Sequence, residues 1–423
     1  MMRQHKLFTG MYLLGTAVSI ALAMTIFIVL YIKLGPIYPE YNRDRMVNIS
    51  YMSYCEKGYE DRRIFCLASP IFLQKIREEA KYLDEMCIYK NIPYGDEEIV
   101  VTAVKTGDEA ETNAYSRVDS KYWKVFNFNF VHGRPFAPEE ENKPVAVITS
   151  RLAKQLFAHD KVCGEDIYID TVRYKIAGVV EEPKTCISTA YTSNDIWIPS
   201  SYKYSNYDYN HDIIGNESPT MLATSPETTD SLIAEIKDIF ERMKQQQGSS
   251  EYQNLEIFMS KQWEDAFNLN GVTQEDNSFF DAIAKYLYAI LAFLFIPALN
   301  LCGMISSRMS GRMVEIGVRK AYGATDRSII SQVLWENLLL TLIGAIIGLA
   351  LSYLIMGTGY SWVMRMFYSR AHIVSGITAE MLFNPTIIAI ILLLTLVVNI
   401  SSALVPTLFA LRSNIIQSLY QRR

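Results

Sequence analysis

VEIGVRKAYGAT, residues 314–325, lies between two of the most apolar stretches of the chain, yet carries a glutamate, an arginine, a lysine and two glycines. Its placement decides the architecture, because a charged, hinge-like piece between two membrane-length segments has to sit at a membrane face. The apolar run before it covers residues 283–305 and the run after it residues 333–356. Two similar runs cover residues 11–32 and 385–411. A helix crosses the ~30 Å hydrocarbon layer in roughly twenty residues, and each run reaches that length with at most a few polar interruptions. The pattern predicts a membrane protein with four transmembrane α-helices in a one-plus-three layout. A large polar block, residues 36–281, falls between helices one and two.

Orientation follows from the lysines and arginines flanking the runs. Arg3 and Lys6 precede the first; Arg308, Arg312, Arg319, Lys320 and Arg327 lie between the second and third; Arg412, Arg422 and Arg423 follow the fourth. Only Arg365 and Arg370 lie between the third and fourth. Both termini and the opening stretch are therefore expected in the cytoplasm, and the polar block outside. The first run has the basic start of a signal peptide. It is longer than a usual signal core, however, and its exit, YIKLGPIYPE, has no small-residue cleavage site, so it is expected to stay as an anchor. The net charge of -5 divides into an acidic exterior and basic cytoplasmic pieces, which gives no reason to expect nucleic acid.

The polar block reads as mixed α/β. MVNISYM (46–52), EEIVVTAVK (97–105), VAVITS (145–150), DIWIPS (195–200) and NLEIFMS (254–260) have strand character, and residues 165–182 form two alternating strands joined at Asp170-Thr171. SPIFLQKIREEAKYL (69–83) opens with Ser-Pro and repeats apolar residues at helical spacing, and SRLAKQLF (150–157) is a second short helix. The clearest amphipathic helix is residues 228–247, with Leu232, Ile233, Ile236, Ile239, Phe240 and Met243 on one stripe. SYKYSNYDYNHD (201–212) has no period and is expected to be a surface loop, a candidate binding surface through its tyrosines. Of six cysteines, Cys55, Cys66, Cys87, Cys163 and Cys186 fall in the block and Cys302 in a span. Cys55 and Cys66 are close enough in sequence to pair in an oxidising compartment, or all are reduced and serve as small buried apolar residues.

Recognisable catalytic chemistry is missing. The chain has no G-x-x-x-x-G-K-[ST] phosphate loop, no H-E-x-x-H and no G-x-S-x-G. Its five histidines are scattered, and nothing near His211-Asp212 completes a metal site. No catalytic or metal residues are assigned, and an enzymatic role has no support.

The charged stretch and its surroundings resemble a family. EIGVRKAYGATDRSII (315–330) is similar to the E-I-G-[IV]-R-[KR]-A-x-G-A motif of the MacB/FtsX-type permeases of ABC transporters. YWKVFNFNFVHGRPF (122–136), VAVITSRLAKQLF (145–157) and GEDIYIDTVRYKIAGVV (164–180) resemble segments of MacB-like outer domains, and VPTLFALRSNIIQSL (405–419) resembles the family's ending. Together these cover nearly the whole chain. The resemblance implies an inner-membrane permease subunit of a bacterium, with both termini cytoplasmic and its large domain periplasmic. It implies that motion of a separate ABC ATPase is transmitted to the outer domain for export or efflux. ATP and Mg would be bound by that ATPase, with no cofactor in this chain. Other implied partners are a second permease copy or a relative, a periplasmic adaptor and membrane lipid. A regulator of cell-wall hydrolases and a lipoprotein-releasing permease are the alternatives in the same layout.

In such permeases the loop after the second span is a coupling helix that docks on the ATPase. Glu315, Ile316, Gly317, Arg319, Lys320, Ala321 and Gly323 are the coupling residues the resemblance implies. Their types suit the task. Glu315 and Arg319 are one helical turn apart; Met309, Met313, Ile316 and Lys320 fall near one face as an apolar strip with a basic end. Gly323 is placed to end the helix in a left-handed conformation, and Thr325 with Asp326 to cap the next. In the spans, Gly15, Ser19 and Ala23, and again Gly344, Gly348 and Ser352, recur at spacing four, which allows close backbone approach either within one chain or at a dimer seam. Pro297 should loosen its span. Asn300, Glu336 and Asn399 are polar positions in or beside spans. The expected organisation is residues 1–35, N-terminus and first helix; 36–281, outer α/β domain; 282–412, an FtsX-like domain with three helices and a coupling segment at about 306–330; and 413–423, cytoplasmic tail.

Overall fold

The computed structural model describes residues 6–58, 62–92, 99–112, 115–169, 171–183, 194–200, 213–246, 252–267, 279–311, 313–367 and 377–412. The tyrosine-rich stretch 201–212 and Cys186 lie outside them. The helices, in chain order, are α1 Lys6–Leu34, α2 Pro70–Glu79, α3 Tyr122–Val125, α4 Ser150–Phe157, α5 Thr229–Gln246, α6 Gln262–Ala266, α7 Phe279–Gly311, α8 Met313–Ala321, α9 Asp326–Phe367, α10 Ala379–Leu382 and α11 Pro385–Arg412. Two compact units are formed: a helical unit of Met1–Tyr31, Phe280–Ala371 and Ile377–Arg423, and an α/β unit of Ile32–Phe279 with His372–Gly376.

The α/β unit is built on one mixed sheet. Its strands are β1 Met46–Glu56, β2 Arg63–Ala68, β3 Leu83–Ile92, β4 Ile99–Ala103, β5 Glu109–Thr112, β6 Tyr115–Val118, β7 Phe130–Gly133, β8 Val145–Thr149, β9 Asp166–Ile169, β10 Val172–Val180, β11 Ile196–Pro199, β12 Ile214–Gly215, β13 Ser218–Ala223 and β14 Tyr252–Lys261. They run in the order β12-β2-β1-β13-β3-β6-β11-β8-β10-β9-β4-β5, with β14 on β1 and β7 on β10. Only the β8–β10 and β6–β11 pairs are parallel among those described.

Helices cover the sheet where its apolar residues demand it. α2 starts at Ser69, whose hydroxyl accepts from the Phe72 amide, with Pro70 fixing the first turn. Its buried Phe72, Leu73 and Ile76 meet Leu232, Ile236, Ile239, Phe240 and Met243 of α5 over β1, β3 and β13, and each such side chain contributes ~1.5–3 kcal/mol by leaving water. α4 is capped by Thr149 and buries Leu152, Ala153 and Leu156 against β8 and β10. A third core holds Tyr122, Phe126, Phe128, Phe136 and Trp197.

Two expectations are corrected here. The helix read over 69–83 stops at Glu79. Ala80 turns extended, and the amides of Lys81 and Tyr82 donate to Glu235 of α5 at 2.9 and 3.2 Å, which releases the chain into β3. A Cys55–Cys66 disulfide is excluded by register. Cys55 is opposite Arg63 and Cys66 opposite Met52, so the two thiols lie on opposite faces of the sheet, offset by three residues, ~10 Å.

Among the described residues, three helices are long and apolar enough to cross a membrane: Thr9–Leu34, Asp326–Met364 and Pro385–Phe409. The fourth expected span falls on α7, a helix of 33 residues whose apolar middle, Pro297 and Asn300 included, is only partly among the described side chains. α9 has 42 residues and at ~1.5 Å per residue is about 63 Å long, twice the hydrocarbon thickness.

The small residues of the spans separate into two groups. A methyl group on Gly348 would stand 2.7 Å from the Ala17 carbonyl oxygen and 2.8 Å from Ile20 Cβ, and one on Gly344 3.0 Å from Thr16 Cβ. Those glycines serve contact between α9 and α1 of the same chain, and Ser352 of the same stripe is buried. Ser19 and Ala23 of α1 are buried too, whereas a methyl on Gly15 would meet nothing within 4 Å. Polar side chains tie the helices further: the Tyr12 hydroxyl and Thr341 Oγ1 are 2.9 Å apart, and Asn399 Nδ2 donates to Thr341 Oγ1 at 3.2 Å, linking α1, α9 and α11.

Candidate functional site

The site predicted from sequence is α8, which forms over nine residues as MVEIGVRKA. Glu315 Oε1 accepts from Arg319 Nη2 at 2.6 Å along the helix, and Arg319 Nη1 donates to Gln332 Oε1 of α9 at 2.7 Å. Lys320 Nζ reaches Asp326 Oδ1, 2.6 Å away, across the turn. Together these bonds fold α8 back on the start of α9. Glu315, Ile316, Arg319, Ile329, Gln332, Val333 and Glu336 line a shallow pocket between the two.

The turn itself is fully specified. Gly323 has φ +89°, the Gly323 amide donates to Lys320 O at 3.0 Å, and the Ala324 amide to Arg319 O at 3.0 Å. This double closure is a Schellman motif, with glycine at its left-handed position. Thr325 then caps α9: its Oγ1 lies 3.4 Å from the Ser328 amide, and Asp326 stands in the first turn, where a negative charge favours a helix start.

Of the strip expected from Met309, Met313, Ile316 and Lys320, Ile316 packs against buried Ala403 of α11, as do Val333 and Leu334 of α9. Lys320 is largely covered, with 14% of its side chain exposed. Gly317 is buried, and the side chains of Met309, Met313 and Ala321 lie outside the described set. The exposed face carries Glu315, Val318, Arg319 and Tyr322. Tyr322 is 89% exposed and Val318 46%. Helical spacing could have found this pair: Val318 and Tyr322 are four apart, and Val318 lies about 200° around the helix from Ile316.

Residues 9–239 match the family described as MacB-like periplasmic core domain, and residues 287–415 match the FtsX-like permease C-terminal family. The first match alone covers more than half of the chain. The chain belongs to the MacB/FtsX-type family of ABC transporter permeases. The permease is 26% identical over 307 residues to a macrolide export ATP-binding/permease protein MacB of a Shewanella species, covering 70% of this chain and 44% of that protein. It is 24% identical over 249 residues to the uncharacterized ABC transporter permease YknZ of Bacillus subtilis, covering 58% of each. It therefore spans less than two thirds of either relative. Among solved structures, the periplasmic region of MacB from Actinobacillus actinomycetemcomitans aligns with 55% of this chain and 95% of its own at 13% identity. Its TM-score of 0.35 is too low for that likeness to decide anything more.

Proposed function

We propose that this permease is the transmembrane subunit of an ABC system in which a separate ATPase docks on α8. The observation that carries the reading is exposed Val318 on a short helix, with exposed Tyr322 just past its end, where the opposite face is anchored by Ile316 and the turn is fixed at Gly323. Large exposed aromatic and apolar side chains on an anchored helix suit a docking knob. Glu315 and Arg319 flank it as a polar rim. ATP and Mg are held by the ATPase, and this chain is non-catalytic. Binding of ATP closes the ATPases, α8 moves with them, and the helices continuing from it carry the displacement to the α/β unit. ATP must favour the closed ATPase by differential affinity for any of this to occur.

In this reading α7 is the fourth span, the membrane is the bacterial inner membrane, both termini are cytoplasmic and the α/β unit is periplasmic. A second permease copy completes the assembly. Export or efflux, with an adaptor, is the favoured output over cell-wall hydrolase control or lipoprotein release.

The test is co-purification of the full chain with a candidate ABC ATPase from membranes. Truncation of a hot-spot tyrosine costs ~2 kcal/mol or more, so as the central knob Tyr322→Ala should weaken the complex roughly thirtyfold and lower ATP hydrolysis in proportion, with smaller losses for Val318→Ala, Glu315→Ala and Arg319→Ala. If all four variants bind and stimulate the ATPase as the native chain does, α8 is not the docking site and Tyr322 is an interfacial aromatic facing lipid headgroups.

A further inference from the structure

The main segment of the α/β unit begins at Ile32 and ends at Phe279. It is thus entered from the last turn of α1 and left at the first residue of α7. Both ends meet on the five-residue helix α6.

Lys33 Nζ, in the last turn of α1, donates to the Ala266 carbonyl at 2.6 Å and lies 5.2 Å over the Phe267 ring. Lys33 is 1% exposed. The Ala266 carbonyl is at the end of α6, where a helix has no backbone donor left to offer, so a buried cation from another helix serves as its cap. The end of α1 is finished in the same manner. Arg43 Nη1 donates to the carbonyls of Ile32 and Gly35 at 2.7 and 3.0 Å, and its guanidinium is held by buried Glu40 at 2.8–2.9 Å. From the other end of the unit, the Phe279 ring meets the Trp263 ring of α6 edge-on at 5.1 Å. α6 is in turn fastened to the sheet. Asn48 of β1 donates to Asp265 Oδ2 at 2.7 Å and to Gln262 Oε1 at 3.2 Å, and accepts from Thr220 of β13 at 2.7 Å.

We infer that α6 is the root on which both connections to the membrane helices converge, and that Lys33 is the positioning residue that holds them there. This rests on the transmission reading above. Displacement of α1 or α7 reaches the same five residues and passes through Asp265 and Asn48 into β1. Burial alone does not call for the lysine: an apolar side chain of similar volume in place of a buried charge is often neutral or stabilising. A methionine at this position cannot donate to the Ala266 carbonyl, so it keeps the volume and removes the tie.

The experiment compares native chain, Lys33→Met, Lys33→Arg and the milder Phe267→Leu by amide hydrogen exchange in lipid nanodiscs. The full chain is used alone and then in complex with its ATPase, with and without Mg-ATP. Without ATPase, Lys33→Met should speed exchange in residues 262–267 at least tenfold, Phe267→Leu should do so less, and Lys33→Arg should restore much of the protection. With ATPase, the native chain should show an ATP-dependent change in β1 that Lys33→Met loses and Lys33→Arg regains, while binding of the ATPase is unaltered. A purely structural role for Lys33 would not move this last readout. Unchanged exchange at 262–267 in both Lys33→Met and Phe267→Leu overturns the clamp whatever the ATPase does. Faster exchange with the ATP response of β1 intact overturns the positioning role. A native chain whose β1 ignores ATP in the bound complex overturns the transmission reading, and the positioning role with it.

Discussion

Gly348→Ala separates packing inside the chain from packing between chains. The added methyl would lie 2.7 Å from the Ala17 carbonyl oxygen and 2.8 Å from Ile20 Cβ. A carbon–oxygen contact relaxes at about 3.3 Å, so α1 and α9 have to part by about 0.6 Å at this point. The obstruction on the first side is backbone, which cannot swing away as a side-chain tip can. Overpacking of this kind costs ~1–3 kcal/mol, or roughly 5- to 150-fold in the unfolding constant at ~1.4 kcal/mol per decade. Gly15→Ala is the matched control: the same chemical change on a stripe of the same spacing, with nothing within 4 Å of the new methyl. The assay is equilibrium unfolding of the full chain in mixed detergent micelles titrated with SDS, followed by far-ultraviolet circular dichroism. Gly348→Ala should unfold at lower SDS and Gly15→Ala with the native chain. A Gly348→Ala protein as stable as native, beside a destabilised Gly15→Ala protein, would refute the reasoning and move the close helix contact to another chain.

Two further outcomes concern the α/β unit. Burial lifts the Asp119 carboxyl from 3.8 to about 7, with Glu141 adding to the rise and Arg77 opposing it from 3.6 Å. The folded state then keeps a proton that the unfolded chain releases, so the stabilisation is full below about pH 4 and is lost as pH rises through 7. At ~1.4 kcal/mol per pH unit the loss is bounded at about 4 kcal/mol. Asp119→Asn should flatten much of the slope in denaturation midpoints between pH 4 and 8, leaving a remainder from Asp265, which burial raises to about 6; a slope unchanged in the variant would exclude Asp119 as its source. Among the described cysteines, Cys163 is exposed while Cys55 and Cys87 are buried, and burial pushes the Cys66 thiol up to about 12. Of the described cysteines, iodoacetamide at pH 7.5 should therefore label Cys163 before Cys55, Cys66 and Cys87, and a peptide map should show no Cys55–Cys66 link.

The parts of the fold legible in the sequence were those set by one segment's own periodicity. Apolar runs near residues 11–32, 333–356 and 385–411 became helices, and the stripe at residues 228–247 became α5 with Leu232, Ile236, Phe240 and Met243 buried. Local turn chemistry was equally direct, since Gly323 adopts the positive φ its position called for. What failed depended on distant partners. The end of α2 is set by Glu235, more than 150 residues away, and nothing in KYLDEMCIYK announces it. Ile316 of α8 packs against Ala403, a partner about ninety residues away that the apolar stripe on its own does not identify. Lys33 was invisible for a related reason. A lysine at the end of a span ordinarily extends its ammonium to water, and only the place of Ala266 shows that this one turns inward. The clue available was Lys33, Glu40 and Arg43 crowding the exit of an apolar run.

Two kinds of electrostatic attachment in this permease differ in a way that bears on the transmission proposed above. At α8 the charged groups are exposed: Glu315 and Arg319 have about half of their side-chain surface in water, and Asp326 more. Exposed pairs are worth ~0–1 kcal/mol and are readily exchanged for water or for new partners. Such a surface can release one set of bonds and form another as a docked protein moves. At α6 the groups are buried: Lys33, Glu40 and Arg43 are each no more than 4% exposed, and Asp265 is 7% exposed. Leaving a buried donor without its acceptor costs ~1–3 kcal/mol, and more when the donor is charged. A displacement that broke the Lys33–Ala266 bond would meet that penalty, whereas one that shifts α6 as a piece, with Asn48 and β1 attached, would not. On the transmission proposed above, a push arriving at Lys33 is therefore expected to move α6 with Asn48 and β1 rather than to break the bond.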